Sequence, residues 1–574
     1  MKLLLRKRNK LYGLGHTAAG DQLATKINKI ISENRKRQLC SANRSDNAKL
    51  WAMLRRSNNW GTKAKRFHNC GNVSDINEYF ASVATNNSYS RDAIIGELHR
   101  QTDEPLATSA VTANYTDDKI AILLSLINKT TTGSDELPFW ILKDCAFQLS
   151  NILAKLINFT INEGTVPSAW KLAVISPVPK VNPPASPSDL RPIAITPVLS
   201  RMVERLIVKD FLMHHVSYSE MIDQYAYKVT GNATCALIDI THTVGKLLET
   251  NRYVRCVMLD FSKAFDTVDH LILLQKLQQY QLPSNILKWL VSFLSHRCQI
   301  TKIHGLCSAV AFINRSILHD SAIGPHFFLV YIDDLKSLGT TNVIVKFADD
   351  TTLLVPEACD VTVEQEIQHI QDWASLNKLS LNLNKTKELV FKRPNVSLEI
   401  IPSAYFGVER LQCAKLLGVY FDTKLSFVHH VDFLIRTCSQ RFYLLQQMRK
   451  QGLTDDCLQV IFNSIIYNRI LYALSAWGGY LSRDSINRLD AIFKKAVRWK
   501  LTQDCHSFDQ LLAQCDSRLF SQSTHSNHCL HHVFTYNNRS SLALRERGHP
   551  FELPRYKYDL TRKSFIMRAL YEFL

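Results

Sequence analysis

The spacing of apolar residues changes from segment to segment along the chain and predicts a mixture of helices and strands. Between residues 118 and 159, apolar positions recur every three or four residues on both sides of a loop that contains Gly and Pro, which predicts two helices. Residues 172–180 lead into a Pro-rich turn through Pro187, a short strand is predicted at 191–195, and a helix is expected to start near Ser200. Residues 440–500 return to helical spacing.

Two later groups of apolar residues are bounded by aspartates. Residues 256–259 are apolar and lead directly into Asp260, and helical spacing follows over 264–277. Short apolar runs also flank Asp349 and Asp350, as in a hairpin with both aspartates at its tip. Taken alone, that pair is more simply read as a polar turn. A carboxylate beside a buried strand is unfavourable unless it is exposed, paired or bound to metal, and three that converge would suit Mg²⁺.

Composition favours a folded protein with a polyanionic partner. The chain has 574 residues, 46% of them hydrophobic, which is enough for two to four packed domains. Its 69 Lys and Arg outnumber 51 Asp and Glu, so the formal net charge is +18, and the excess is greatest over residues 1–40. Such a charge favours nucleic acid or an anionic membrane surface. No apolar run of about 18 residues and no amphipathic anchor is apparent, so we expect no membrane partner.

An ordered set of motifs surrounds the three aspartates over residues 165–425. The motifs are Trp170-Lys, Pro177-Val-Pro-Lys180, Asp189-Leu-Arg-Pro-Ile193, Ser200-Arg-Met-Val-Glu204, Asp260-Phe-Ser-Lys-Ala-Phe-Asp-Thr-Val-Asp269, Ile323-Gly-Pro325, Phe347-Ala-Asp-Asp350, Trp373-Ala, Leu381-Asn-Leu-Asn-Lys-Thr-Lys387 and Leu416-Leu-Gly-Val-Tyr-Phe-Asp422. Each motif is weak by itself. Together and in this order, they resemble the reverse-transcriptase domain of jockey-like non-LTR retrotransposons.

The resemblance implies the fold and the activity. The fold would be α+β: a right-hand polymerase with an antiparallel-sheet palm, fingers and a helical thumb. We expect a basic helical N-terminal segment and linker at 1–117, fingers and palm at 118–425, and the thumb or C-terminal region at 426–574. The activity would be that of an RNA-directed DNA polymerase, a nucleotidyltransferase of a LINE-type transposable element. Its partners would be an RNA template, a DNA primer or target, and dNTPs.

 The element's own RNA is the expected template.

The resemblance also assigns the catalytic residues. Asp260, Asp349 and Asp350 would hold two Mg²⁺ ions, with the backbone carbonyl of Phe261 as a further ligand. Two such ions activate the attacking 3′-hydroxyl and stabilise the leaving pyrophosphate. Phe265 would lie under the sugar of the incoming nucleotide and exclude a 2′-hydroxyl. The alternative for Phe265 is a core aromatic on the segment that follows the strand.

Four basic residues are candidates for contact with the nucleotide. Lys180 and Arg191 would reach the incoming triphosphate, where charged donors stabilise the charge that develops during transfer. Lys385 or Lys387 would protonate the pyrophosphate. A solvated surface charge explains either of these last two lysines equally well.

The loop expected to contact template and nucleotide departs from the family pattern. The family has Gln-Gly-Ser-Gly-Ile-Gly-Pro where this chain has His319-Asp320-Ser321-Ala322-Ile323-Gly324-Pro325. Asp320 replaces a glycine, so it adds a side chain and a negative charge where backbone should approach phosphate. The change favours a decayed copy over an adapted one. Two alternatives stay open: an inactive RNA-binding remnant of the same fold, and a reverse transcriptase like the group II intron maturases.

Two other clusters are set aside. Tyr331-Ile-Asp-Asp334 resembles the retroviral motif, but it lies on the predicted helix 326–338, only about 12 Å along the helix from Pro325. That length is too short for the chain to cross the domain and return as a strand. The histidines and cysteines within 505–532 match the spacing of no zinc module, so a metal site is not expected there.

The family usually carries an endonuclease that nicks DNA to supply the primer. Met1 stands after the position where that domain would end, so we expect this chain to lack it. The apolar run near the N-terminus is too short for the core of a signal peptide. We therefore expect an intracellular protein that acts in the nucleus and has a cytoplasmic ribonucleoprotein stage.

Overall fold

The computed structural model describes residues 2–40, 70–86, 96, 109–216, 218–319, 321–393, 396, 401–536 and 549–573. The chain divides into two compact units. The large unit spans 66–412 and 523–536, and the small unit spans 1–65, 413–522 and 537–574. All of the predicted site residues belong to the large unit.

Helices and strands alternate through the described chain. The helices are α1 Lys2–Gly13, α2 Thr17–Cys40, α3 Val73–Val83, α4 Asp117–Ser125, α5 Phe139–Asp144, α6 Ala146–Asn162, α7 Val198–Ile207, α8 Met213–His215, α9 Ala233–Thr250, α10 His270–Gln278, α11 Ser284–Leu294, α12 Gly324–Ile332, α13 Val363–Leu376, α14 Val428–Lys450, α15 Asp455–Phe462, α16 Asn468–Leu471, α17 Leu474–Trp477, α18 Arg483–Arg498, α19 Phe508–Ser523, α20 Asp559–Arg562 and α21 Phe565–Glu572. The strands are β1 Leu172–Pro179, β2 Leu190–Ile195, β3 Tyr253–Leu259, β4 Cys298–Ile303, β5 Leu306–Cys307, β6 Ala311–Phe312, β7 Val343–Phe347, β8 Asp350–Pro356, β9 Lys387–Lys392, β10 Glu409–Leu411, β11 Cys413–Leu416 and β12 Val419–Asp422. This mixture of helix and sheet confirms the coarse fold class.

A five-stranded sheet in the large unit carries the predicted aspartates. Its strand order is β10-β9-β3-β8-β7, with β10 parallel to β9 and the other pairs antiparallel. The central strand β3 is buried along nearly its whole length, and α9 packs against β3 and β7. The hairpin predicted around Asp349 and Asp350 is confirmed as β7 and β8.

A second sheet has the strand order β2-β1-β4-β5, with β6 also paired to β4. The strand predicted at 191–195 is confirmed as β2, which pairs antiparallel with β1. The amide of Lys180 donates to the carbonyl of Asp189 at 2.7 Å and closes the loop between them. This bond brings Lys180 and Arg191 to one end of the strand pair.

Three helix predictions differ from the structure in their limits. The segment 118–159 forms three helices, because α5 and α6 are separated at Cys145. The helix predicted over 264–277 begins only at His270, since a short 3₁₀ turn comes first and Asp269 caps the backbone amides of the next helix. The helix predicted over 326–338 ends at Ile332.

Lys346 explains where that last helix ends. The side chain is fully buried on β7, and its Nζ donates to the carbonyls of Ile332, Asp333 and Leu335 at 3.0, 3.2 and 3.0 Å. The Asp223 carboxylate lies 3.1 Å from the same nitrogen. Burial lowers the pKa of Lys346 to about 8, although Asp223 opposes the shift. One buried cation thus satisfies the carbonyls at a helix end and fixes that end against β7.

The small unit contains a helical run that meets the length and hydropathy of a membrane-crossing helix. This run, Asp455–Tyr480, contradicts the expectation from sequence that no such stretch exists. It is weak evidence for a membrane, because the core helix of a folded domain passes the same test. Leu458, Ile461, Phe462 and Trp477 along it are buried in the protein.

We predict that Lys346→Met changes the pH dependence of stability. Between about pH 8 and 10.5 the unfolded chain holds more protons at this lysine than the folded chain, so its contribution to stability rises with pH. The free energy of unfolding, measured with urea, should therefore increase from pH 8 to 10 in the wild type relative to the variant. Lys336→Met is the control, because Lys336 is half exposed and contacts the same Asp223. Parallel pH profiles for wild type and Lys346→Met would contradict this assignment.

Candidate active site

The three predicted aspartates lie at one end of neighbouring strands. Asp260 directly follows β3, and the pairing of Leu259 with Thr351 places it opposite Asp350, the first residue of β8. Asp349 occupies the turn between β7 and β8, where Phe347 pairs with Asp350. Residues that face each other across antiparallel strands are about 4.5–5.5 Å apart at their Cα atoms. The fold therefore brings together carboxylates that are about 90 positions apart in the sequence.

Burial and neighbouring negative charge raise the pKa of Asp349 and Asp350. Burial raises the pKa of Asp350 to about 6, with further contributions from the charges of Asp349 and Asp260. Burial and the charge of Asp260 also raise the pKa of Asp349. Lys385 is the nearest counter-charge, with its Nζ 4.0 Å from an Asp260 oxygen. A site of partly buried carboxylates that repel one another fits a divalent cation, and oxygen donors fit Mg²⁺ in particular.

Among the described residues, the three carboxylates do not form a group whose ligand atoms all lie within 4.8 Å of one another.

The backbone around Asp260 is held by the segment before β9. The amide of Asn382 donates to the Asp260 carbonyl and that of Ser262 to the Ser380 carbonyl, both at 2.8 Å. Phe261 lies between these two bonds, and its ring packs edge-on against Trp373 at 6.2 Å. The predicted metal-ligating carbonyl of Phe261 thus belongs to a fixed stretch of backbone next to Asp260.

Gln224 supports the aspartate hairpin, a role that sequence reasoning missed. Its Oε1 accepts the amides of Tyr225, Ala226 and Ala348 at 3.1, 2.9 and 3.0 Å. Ala348 has a φ of 56°, a left-handed conformation that is unfavourable for a residue with a side chain. Gln224 is itself buried and pairs with Lys346 through the backbone. Its accepting oxygen therefore stabilises the strained turn that presents Asp349.

Of the four basic candidates, Arg191 and Lys385 interact electrostatically with the aspartates. Arg191 is exposed on β2, and its charge opposes the rise in the pKa of Asp349. Burial lowers the pKa of Lys180, whose Nζ donates to the Ser188 carbonyl at 3.0 Å. Lys385 faces Asp260, whereas the Nζ of Lys387 contacts a Glu409 oxygen at 3.0 Å. Lys385 is therefore the better placed of the two lysines proposed as proton donors.

Phe265 lies in the 3₁₀ turn between β3 and α10. Its ring is half buried and stacks on Phe328 at 4.4 Å, with His319 on another side at 5.7 Å. The Nε2 of His319 is 2.8 Å from an Asp266 oxygen. His319 belongs to the loop 319–325 that is expected to contact template and nucleotide, called the substrate loop below. It therefore joins this loop to the turn that carries Phe265.

Buried Glu204 holds the substrate loop and is a second residue whose role sequence reasoning missed. Its carboxylate accepts the Ser321 hydroxyl at 2.5 Å, the Ala322 amide at 3.0 Å and the Ser200 hydroxyl at 3.1 Å. Burial raises the pKa of Glu204, and these hydrogen bonds oppose the shift. Glu204 belongs to one of the motifs in the sequence, but its partners are brought to it only by the fold.

The rest of the loop leads into α12. Ile323 is fully buried, and Gly324 and Pro325 form the first turn of the helix. A Cβ on Gly324 would lie 2.9 Å from the Leu318 carbonyl oxygen, so this position has no room for a side chain. Asp320 lies outside the described residues.

The residues of the Tyr-x-Asp-Asp sequence, Tyr331 to Asp334, form hydrogen bonds with other parts of the fold. Tyr331 is buried on α12 and donates its hydroxyl to the Asn377 carbonyl at 2.6 Å. Asp333 accepts the Tyr280 hydroxyl at 3.1 Å, and Asp334 accepts Lys276 at 2.7 Å. These contacts give the three residues structural partners around the end of α12.

The chain is similar to known polymerases of mobile elements. Residues 178–421 match the family described as reverse transcriptase (RNA-dependent DNA polymerase). The chain is 26% identical to the probable RNA-directed DNA polymerase from transposon X-element of Drosophila melanogaster, over 78% of this chain and 51% of that protein. It is 23% identical to the RNA-directed DNA polymerase from mobile element jockey of the same species, over 83% and 55%. The chain thus spans about half the length of these relatives.

A solved structure of telomerase from Candida albicans, in complex with a fragment of telomeric RNA, aligns with 84% of this chain and 91% of that one. The identity is 10% and the TM-score is 0.32, values too low to carry structural detail from one protein to the other.

We predict that Asp350→Asn stabilises the metal-free protein at pH 7. The raised pKa of Asp350 means that its charge costs folding stability above about pH 6, and this cost falls as the pH drops toward 4. The variant should melt higher than the wild type at pH 7, by no more than a few degrees because solvent screens the exposed Asp350, with a smaller difference at pH 5. Added Mg²⁺ should stabilise the wild type more than the variant. Asp360→Asn is the control with the opposite sign, because hydrogen bonds from Thr341 and Thr340 lower the pKa of Asp360. A lower melting temperature for metal-free Asp350→Asn would contradict the prediction.

Proposed function

This chain belongs to the RNA-directed DNA polymerase family of non-LTR retrotransposons, and on that basis we propose that it copies RNA into DNA by adding dNMP to a primer 3′-hydroxyl. The observation that carries the proposal is the meeting of Asp260, Asp349 and Asp350 at one end of the five-stranded sheet. Reverse transcriptases generally use divalent metal ions. Burial and the charge of Asp260 raise the pKa of both Asp349 and Asp350, which supports a cation as their missing partner.

Each side chain has a proposed task in the reaction. Asp260, Asp349 and Asp350, with the Phe261 carbonyl, would hold two Mg²⁺ ions, which when bound supply activation of the 3′-hydroxyl and neutralise charge on the phosphates. Arg191 and Lys180 orient the triphosphate from the end of the β1–β2 pair. Lys385 donates a proton to the departing pyrophosphate.

The finer architecture is part of the same proposal. The sheet that carries the aspartates corresponds to a palm, the β1–β2 pair and its helices to fingers, and the helices of the small unit to a thumb. The net charge of +18 supports binding of an RNA template and a DNA primer. A nuclear site of action, with a cytoplasmic ribonucleoprotein stage, follows from the same family.

The altered substrate loop supports weak activity in this copy. His319 replaces the glutamine of the family pattern and pairs with Asp266 beside Phe265. Asp320 adds negative charge in the same loop. The alternative of an intron maturase has less support, because the relatives described above are polymerases of transposons and mobile elements.

Primer extension tests the proposal directly. Purified protein, a DNA primer on an RNA template, dNTPs and Mg²⁺ should yield extended DNA. Asp260→Asn should reduce the rate at least about 100-fold, because a metal ligand is lost. Asp333→Asn is the matched control and should retain the rate, since Asp333 has a structural partner in Tyr280. Equal extension by wild type and Asp260→Asn would refute the metal-binding assignment.

We predict that Phe265→Val relaxes selection against ribonucleotides. Removing the ring would make room for a 2′-hydroxyl, so the ratio of rNTP to dNTP incorporation should rise at least about tenfold, or roughly 1.4 kcal/mol. Phe312→Val is the control, because Phe312 is an exposed aromatic of the large unit. If the ratio in an active Phe265→Val protein equals that of the wild type, Phe265 serves only the core.

We predict that restoring the family's loop raises the extension rate. Small misplacements of reacting groups cost about 100-fold in rate, and His319, Asp320 and Ala322 share one loop. The triple change His319→Gln, Asp320→Gly, Ala322→Gly should therefore increase the rate more than any of the three single changes. Robust extension by the unmodified chain, or no gain in a folded triple variant, would show that the loop does not limit activity.

A further inference from the structure

A second group of metal-ligating side chains lies in the large unit, away from the aspartates in sequence. Cys235 is in the first turn of α9, and His528 and Cys529 belong to the segment 523–536 that packs on this unit. One ligand atom from each residue lies within 4.8 Å of the others, and all three residues are buried. In the described part of the chain, this is the one group of His, Cys, Asp and Glu side chains with that spacing.

Backbone hydrogen bonds hold the two sulfur atoms on one side of Thr230. The amide of Cys529 donates to the Thr230 hydroxyl at 3.0 Å, and its thiol donates to the Thr230 carbonyl at 3.4 Å. The Cys235 thiol lies 3.9 Å from the same carbonyl, and Asn232 caps α9 just before it. The backbones of the two cysteines are therefore held by neighbouring structure, and their side chains also form a hydrogen bond with each other.

We propose that Cys235, His528 and Cys529 bind a Zn²⁺ ion. Two thiolates and an imidazole form a ligand set that zinc prefers, and tetrahedral zinc requires such atoms to be about 3.5–3.8 Å apart. The ligands present need to move by about 1 Å or less to reach this spacing. Binding releases the two thiol protons to solvent, so the ion and its two thiolates form a neutral unit.

A cavity beside the proposed ligands would admit water as a fourth zinc ligand. His528 and Cys529 line a cavity of about 600 Å³ together with His531, His532 and Lys228. The Nδ1 of His528 accepts the Leu530 amide at 3.2 Å, a long hydrogen bond that metal binding through this nitrogen would replace. The sequence did not indicate this site because residues 505–532 include only two of its ligands, His528 and Cys529. The third ligand, Cys235, is far away in the sequence.

The zinc site would join parts of the chain that are far apart. Thr230 and Cys529 are 299 positions apart, so an ion at this point fixes a late segment onto the loop that precedes α9. The same loop begins near Gln224, which accepts the Ala348 amide at the aspartate hairpin. Zinc would therefore stiffen the support of that hairpin without contacting substrate.

Metal content tests the proposal on the full chain, purified in reducing buffer with any affinity tag removed. Mass spectrometry of the metals should find one zinc per chain in the wild type and in Cys256→Ser, a control for loss of a buried thiol in the same unit. Cys235→Ser and Cys529→Ser should each weaken zinc binding at least about tenfold. Co²⁺ titration of the zinc-free wild type should give sulfur-to-cobalt charge-transfer absorption, a readout that needs no variant to fold.

Three results would overturn the proposal. The first is folded, reduced wild-type protein that binds neither zinc nor cobalt. The second is undiminished zinc binding by folded Cys235→Ser and Cys529→Ser. The third is a Cys235–Cys529 disulfide, found by peptide mapping of protein isolated under reducing conditions, because that bond would consume both sulfur ligands.

Discussion

Burial of Asp349 and Asp350 beside the negative charge of Asp260 is the constraint on which the candidate active site depends. Asp260, Asp349 and Asp350 approach one another because β3 and β8 are paired in one register. Their charges and their burial raise the pKa of Asp350 to about 6. Holding these charged carboxylates together lowers the stability of the fold. Backbone and side-chain contacts in the surrounding structure keep the aspartates from moving apart.

Hydrogen bonds from buried polar side chains fix the segments around the aspartates. Gln224 accepts the amide of the strained residue in the aspartate turn, and Lys346 fixes the end of α12 against the strand before the turn. Glu204 performs a similar task for the substrate loop by accepting the hydroxyl of Ser321 and the amide of Ala322. Each is a polar group whose burial would be unfavourable without its hydrogen bonds, so each strongly specifies the conformation around it.

The same principle separates the aspartates at the site from those that resemble them in sequence. Asp333 and Asp334 have donors in Tyr280 and Lys276, which satisfy their carboxylates within the fold. Asp349 and Asp350 instead face other carboxylates. A motif of two aspartates therefore indicates a metal site only when the surrounding structure leaves the carboxylates in need of a cation.

The sequence by itself determined the strand β2, the aspartate hairpin and the family, because these depend on local spacing and on motifs in a fixed order. It did not determine the start of α10, which depends on capping by Asp269, or the end of α12, where Lys346 arrives from another strand. Nor could it reveal what Gln224 and Glu204 contact, or that Cys235 lies beside Cys529. Those features exist only where the fold brings distant residues together, and periodicity along the chain carries no information about such contacts.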